Sequence, residues 1–234
     1  MSNHYFNFKR FRIEQERCSM KVGTDGVLLG AWFPLEKGMN VLDVGTGTGL
    51  VALMAAQRGA GSVCAVDIDP EAVAQARENV EHSDWAGLIE VFCIDIAEYC
   101  PDVKYDAIVC NPPYFRDSLH SPYPGRNTAR HDVTLNFETL ARCAACLIKP
   151  EGLLSVILPC GAVNTFVGCA GTCGLYPVRR TDVVLSDGAT PKRSMLALSK
   201  SGGPVVTDLL KMYDSTGKET DEYKELVRDF YLNF

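Results

Sequence analysis

Asn111-Pro112-Pro113-Tyr114 is the stretch of this 234-residue chain whose residue types are best suited to chemistry. It follows the apolar run Tyr105-Asp106-Ala107-Ile108-Val109-Cys110, which predicts a buried strand. Neither proline offers an N–H donor, so a sheet ladder cannot continue through them. The strand must stop, and a stiff turn then holds one amide and one aromatic ring at its carboxyl end. In an open α/β sheet that edge is where ligands bind. Asn111 supplies a carbonyl acceptor, the turn leaves backbone carbonyls such as that of Pro112 without ladder partners, and Tyr114 offers a flat π-face. The set suits a planar group carrying an exocyclic NH2, such as adenine or an amide. Taken alone it equally describes a proline-stiffened turn.

A second motif decides between the two. Val41-Leu42-Asp43-Val44 is an apolar strand, Gly45-Thr46-Gly47-Thr48-Gly49 a glycine-rich turn, and Leu50 to Ala56 a helix. The glycines fall at alternate positions and lack the spacing of the dinucleotide fingerprint, and no Gly-Lys-Ser/Thr ending marks a phosphate cradle. Glycines permit close approach of backbone to ligand and positive φ. Asp43 places an anion at this turn, which suits a cationic or amino-bearing ligand better than a pyrophosphate. The next strand, Val63 to Val66, ends in Asp67, Asp69 and Pro70. Asp67 follows Gly45 at close to the roughly 20-residue spacing at which a second-strand acid meets ribose hydroxyls. A third strand, Leu88 to Ile94, ends in Asp95-Ile96, where the acid can accept a bond from an adenine amino group. Each Asp alone reads equally as a helix cap or turn residue. Three acids at successive strand ends, followed by Asn-Pro-Pro-Tyr, read as a nucleoside pocket.

The elements that must position these residues alternate between strand and helix. That pattern predicts a mostly parallel sheet with helices on both faces. A hydrophobic content of 47% supports a full core, and the length fits one domain. Residues 1–38 read as an N-terminal arm ending in a helix from Asp25 to Phe33, broken at Pro34, and residues 39–234 as the catalytic core. Residues 115–134 read as a long loop over the mouth. Beyond it come an amphipathic helix at Leu135 to Ile148, a strand at Gly152 to Leu158 and a helix at Ala162 to Cys173. Val178 to Leu185 and Met195 to Leu198 read as a closing hairpin, and Glu222 to Phe234 as a final helix. No 18-residue apolar run and no signal-peptide core appear, so a soluble, cytoplasmic protein is expected. The ten cysteines lack paired histidines or a second Cys-x-x-Cys, which points to reduced thiols and no metal.

A net charge of −6 does not advertise nucleic-acid binding, but cations cluster locally. Lys9, Arg10 and Arg12 interleave with Tyr5, Phe6, Phe8 and Phe11; Arg116, Arg126 and Arg130 follow Tyr114; Lys192 and Arg193 come late. Such clusters are compatible with a structured RNA. The aromatic arm can equally pack on the core.

Phe8-Lys9-Arg10-Phe11, Cys18-Ser19-Met20-Lys21-Val22-Gly23-Thr24-Asp25-Gly26, the glycine turn, Asn-Pro-Pro-Tyr and Glu225 to Leu232 together resemble the bacterial tRNA1(Val) (adenine(37)-N6)-methyltransferase family over nearly the whole chain. The resemblance implies a Rossmann-like three-layer sandwich with a seven-stranded, mostly parallel sheet and a reversed C-terminal hairpin. It implies methyl transfer from S-adenosylmethionine to an adenine amino nitrogen in tRNA, without metal and without an obligatory protein partner. Asn111, Pro112 and Tyr114 would act on the acceptor. Lys21, Thr24, Asp25, Asp43, Gly45, Thr46, Gly47, Gly49, Asp67, Ile68, Asp95, Ile96 and Asn111 would hold the cofactor. Three rivals share the scaffold: a guanine-N2 rRNA methyltransferase, a protein glutamine N5-methyltransferase, for whose helical domain residues 1–40 leave little room, and a non-catalytic RNA-binding module.

Overall fold

Strand β3 (Asn40–Val44) alternates its side chains between two apolar environments, Val41 to one face and Leu42 and Val44 to the other. A strand buried on both faces belongs at the centre of a parallel sheet. The computed structural model, which describes residues 4–112 and 136–234, places it there. On one side of β3 lie β4 (Ser62–Asp67) and β5 (Ile89–Cys93); on the other lie β6 (Tyr105–Cys110) and β7 (Ile148–Pro159), all parallel. Beyond β7 come β9 (Arg193–Ser199), β8 (Tyr176–Val184) and β10 (Val206–Lys211). β9 runs antiparallel to both of its neighbours, so the hairpin read at 178–198 is present and reversed. The seven expected strands are all there.

β10 extends the sheet by one. It escaped the sequence reading because it is an edge strand with Val206 and Leu209 exposed, which leaves no inward-facing alternation. Among the described residues no helix is long and apolar enough to cross a membrane.

Helices α1 (Thr24–Trp32), α2 (Leu50–Gln57) and α3 (Pro70–Glu81) cover one face of the sheet, while α4 (Phe137–Leu147) and α5 (Val163–Thr172) cover the other. α1 and α2 touch closely because Gly30 has no Cβ; one there would lie 2.6 Å from the Met54 sulfur. The side chain of Asp69 caps α3 at Glu71 N–H (3.0 Å), and Asn136 caps α4 at Thr139 N–H (2.7 Å). The amphipathic segment expected through Ile148 instead leaves the helix there, since Ile148 already pairs with Tyr105 of β6.

The register sets the site. Val44 lies opposite both Val66 of β4 and Cys110 of β6, so the next residues, Gly45, Asp67 and Asn111, emerge from the sheet side by side. β4 and β5 follow β3 outward in one direction, and β6 returns on its other flank. That reversal is the switch point at which open α/β sheets bind ligands.

Both ends of the chain meet on the helical face of α1 to α3. The arm forms a two-stranded hairpin, β1 (Tyr5–Asn7) with β2 (Arg12–Glu14). Helix α6 (Asp221–Val227) is shorter than the spacing suggested. The chain turns after Val227, whose carbonyl takes both Phe230 N–H and Tyr231 N–H; the Phe230 carbonyl then accepts Lys9 N–H and the Tyr231 ring packs on Phe6 and Phe8 of the hairpin. Phe8 is buried and stacks on Phe11 (centroids 4.7 Å) and Tyr231 (6.0 Å). Phe8→Ala should therefore destabilise the fold by about 3 kcal/mol or more, the range for a buried Phe→Ala cavity. The midpoint of urea unfolding measures it, and a loss below about 1 kcal/mol would mean that the arm does not share the core.

Candidate active site

The glycine turn owes its shape to a carboxylate beneath it. Asp43 is only 2% exposed; its Oδ2 accepts Thr46 Oγ1–H (2.6 Å) and Ala52 N–H of α2 (3.1 Å). The strand end, the turn and the helix start are thus tied to one atom. Burial pushes the Asp43 carboxyl up to about 7, with the charge of Asp67 adding to the rise and the two hydrogen bonds opposing it. The expectation of an anion at the mouth needs correcting: the Asp43 charge points into the core, and so does the Thr46 side chain that binds it. Gly49 caps α2 with φ +81° and packs on Ala76 of α3. Gly45 (φ +70°) and Gly47 (φ +56°) do face the opening, and a Cβ on either would meet nothing within 4 Å.

The opening is a cavity of about 330 Å³. Gly45 and Gly47 form its floor, with Asp67, Ile68 and Asp69 following β4 and Ile94, Asp95 and Ile96 following β5. Asp67 is fixed by Gly47 N–H on Oδ2 (2.8 Å) and Asp69 N–H on Oδ1 (3.0 Å). Each carboxylate oxygen has two lone pairs, so both retain capacity toward a ligand. Asp95 accepts Ala97 N–H (2.8 Å) through one oxygen. Between these acids Ile68, nearly half exposed, joins Ile94, Ile96 and Ala72 in an apolar slot. Asn111 and Pro112 close the β6 side, and Gly26 of α1 packs against them: a Cβ there would lie 3.8 Å from Asn111 Nδ2.

Several lining residues went unselected from the sequence. Cys18, Ser19 and Met20 form a wall ahead of Lys21, and Asn136 and Thr139 at the start of α4 add polar atoms opposite. The helix read from Leu135 takes in Asn136 without giving it a role, and only the long-range fold brings it here. Cys18, buried beside Asp67 and Asp69, has its thiol pushed up to about 11, by burial first and then by those charges.

The geometry is that of an apolar slot between two acids, with an amide at its lip and glycines at its floor. Residues 19–124 match the model of the methyltransferase small domain family. A tRNA1(Val) (adenine(37)-N6)-methyltransferase of Bacteroides fragilis is 46% identical, with 99% of each chain covered. One of Phocaeicola vulgatus is 47% identical over 100% of each. The chain belongs to the tRNA1(Val) (adenine(37)-N6)-methyltransferase family. Among solved structures, a predicted O-methyltransferase of Agrobacterium tumefaciens superposes with a TM-score of 0.69 at 20% identity, covering 88% of this chain and 96% of that one. That likeness shows the Rossmann-like methyltransferase fold.

Set beside that family, other expected residues fall outside the cavity lining. Asp25 is engaged by Arg193, whose Nε donates at 2.7 Å, so both are spent in part on joining α1 to β9 at the mouth. Lys21 and Thr24 flank the same corner in sequence, between the Cys18–Met20 wall and α1. The arm cations are taken up locally. Lys9 Nζ donates to the carbonyls of Arg228 (2.6 Å) and Phe234 (2.5 Å). Arg10 pairs with Asp84 and lies over Trp85, while Arg12 pairs with Glu14 and lies over Tyr5. These contacts tie the arm to the body of the protein, while the side chains of Arg10 and Arg12 stay about half exposed. Lys192 is exposed at the sheet edge beside Arg193. Pro113, Tyr114, Arg116, Arg126, Arg130 and the loop expected at 115–134 lie outside the described residues.

The buried acid has a measurable signature. The folded Asp43 holds its proton up to about pH 7, whereas an unperturbed carboxyl releases it near 3.8. Across that window the folded state binds more protons than the unfolded one, so stability contributed by this group falls as pH rises. Asp43→Asn keeps an oxygen for Thr46 and Ala52 but cannot ionise. The difference in melting temperature, wild type minus Asp43→Asn, should shrink steadily from pH 4 to pH 7; a difference constant across that range would place the Asp43 titration elsewhere.

Proposed function

We propose that the chain transfers a methyl group from S-adenosylmethionine to the exocyclic N6 amino group of an adenine in tRNA, adenine 37 of a valine tRNA as its relatives are named. The observation that carries this reading is Asn111 at the lip of a nucleoside-shaped cavity in a chain that matches those relatives from end to end. Residues 1–234 act as one catalytic domain, with the arm of residues 1–38 built into it.

The cavity fits the cofactor. The space a Cβ would fill at Gly45 and Gly47 admits a ligand against the backbone. Asp67, already anchored on both oxygens, accepts the ribose hydroxyls; Asp95 accepts the adenine amino group; Ile68 and Ile96 flank the ring. Asp43, Thr46 and Gly49 support the turn from beneath, and Lys21, Thr24 and Asp25 border the mouth. When bound, S-adenosylmethionine supplies an electrophilic methyl group on a sulfonium.

An adenine amino nitrogen is a poor nucleophile because its lone pair is delocalised into the ring. The Asn111 side-chain carbonyl and the Pro112 backbone carbonyl accept its two hydrogens, favour a pyramidal nitrogen and aim the lone pair at the methyl. That is positioning plus electrostatics. The base must first leave its stack, and Tyr114 supplies the replacement surface. With the arm cations paired within the chain and Arg193 held by Asp25, RNA contact is assigned to Lys192, Arg116, Arg126 and Arg130.

Asn111→Ala should bind S-adenosylmethionine normally and lose methyl transfer; near-normal turnover on tRNA would remove Asn111 from the chemistry. Asp67→Ala loses charge-assisted bonds of roughly 1.5–3 kcal/mol each, so calorimetry should show affinity weakened at least about tenfold. An unchanged constant in the folded variant would take Asp67 out of the pocket. For RNA, the log–log salt slope of binding should flatten by about 0.7–0.9 for each phosphate contact removed. Lys192→Ala should flatten it, whereas replacing Lys9, Arg10 and Arg12 together should leave it unchanged. The opposite pattern would return the contact to the arm.

A further inference from the structure

The Cys18–Met20 wall is held from behind by three buried amide side chains. Gln75 and Asn79, one helical turn apart on α3, are each 2% exposed, and Gln15 in the arm is 4% exposed. Asn79 Oδ1 accepts Glu14 N–H (2.8 Å), and its Nδ2 donates to the carbonyls of Glu14 (2.9 Å) and Thr48 (2.8 Å). Both amide N–H groups are therefore spent: one on the strand leading into the wall, the other on the glycine turn. Gln75 accepts Arg17 N–H (3.3 Å), directly before Cys18, and Gln15 accepts Val22 N–H (2.8 Å), just past Met20. The wall is thus tied down on both sides. On the same stretch of α3, Ala72 lines the cavity and Ala76 packs under Gly49.

We propose that Asn79, assisted by Gln75, is a positioning residue for the cofactor: it locks the Cys18–Met20 wall and the Thr46–Gly49 turn into one frame and so sets the width of the cavity between them. This rests on the reading that S-adenosylmethionine occupies that cavity. Asn79 does not line the cavity itself, so it acts through the two backbone segments it joins. No alanine can replace it, because one side chain must accept from Glu14 and donate in two directions at once. Aspartate keeps the acceptor and loses both donors, so it should behave as alanine does.

The test pairs calorimetry and steady-state kinetics with maleimide labelling of Cys18, read peptide by peptide. In Asn79→Ala and Asn79→Asp, the Kd and KM for S-adenosylmethionine should rise about tenfold, while kcat at saturating cofactor stays within about twofold. Cys18 labelling should speed up while that of Cys110, 0% exposed in the core, does not. Gln75→Ala should shift each quantity the same way by less, and it carries the test if the Asn79 variants do not fold. Wild-type Kd and wild-type Cys18 labelling in a folded variant would overturn the proposal. So would a kcat that falls in step with the folded fraction at unchanged KM, since that marks a merely structural amide. A wild-type protein that binds no S-adenosylmethionine would sink the functional reading instead, and the Cys18 labelling would still decide whether Asn79 holds the wall.

Discussion

Asp43 accepts the Thr46 hydroxyl and the Ala52 amide while lying almost wholly out of water, and the geometry of the cavity follows from where that carboxylate pins the turn. Three glycines at positive φ within five residues make a segment with wide conformational freedom. Left untethered, such a turn would sample many shapes and present none of its amides reliably. Anchored from below, it directs the Gly47 amide at Asp67, which fixes the carboxylate on the next strand. A buried acid is a costly tether. Its two hydrogen bonds offset part of that cost and hold the strand end, the turn and the helix start together.

The strands that carry the site were legible because each announces itself twice, as an apolar run and as a polar stop. Asp67, Asp95 and Asn111 stand where such runs end, and parallel pairing in register brings those ends together. Residues that reach the site by tertiary routes were not legible. Cys18, Ser19 and Met20 arrive through a hairpin with three residues per strand, too short for any period to show. The direction in which Asp43 and Asp25 point was not legible either, because a carboxylate's position in sequence says nothing of it. Burial turned the first inward, and Arg193 claimed the second. Likewise the basic, aromatic arm carries the composition of an RNA-binding segment but spends its cations on carbonyls, acids and rings of its own chain.

A pocket built for an alkylating cofactor should hold no competing nucleophile. Cys18 and Cys110 both border it, yet burial and the neighbouring aspartates raise both thiols, Cys110 well above the ordinary range. Neutral thiols are weak nucleophiles. Burial first, and then the charges of Asp67, Asp69 and Asp43, thus keep the cavity's own sulfur atoms protonated.

The contact between the two ends of the chain bears on how the protein matures. Lys9 and Phe8 rest on residues 228–234, and the hairpin they belong to carries the strand that leads into the Cys18–Met20 wall. During synthesis the hairpin can dock first on α3 through Asn79 and on Trp85, and its second support, residues 228–234, arrives last. The central strands and their glycine turn can assemble earlier, from segments already made. The contact at residues 228–234 is thus the last restraint added to a hairpin that α3 can already hold.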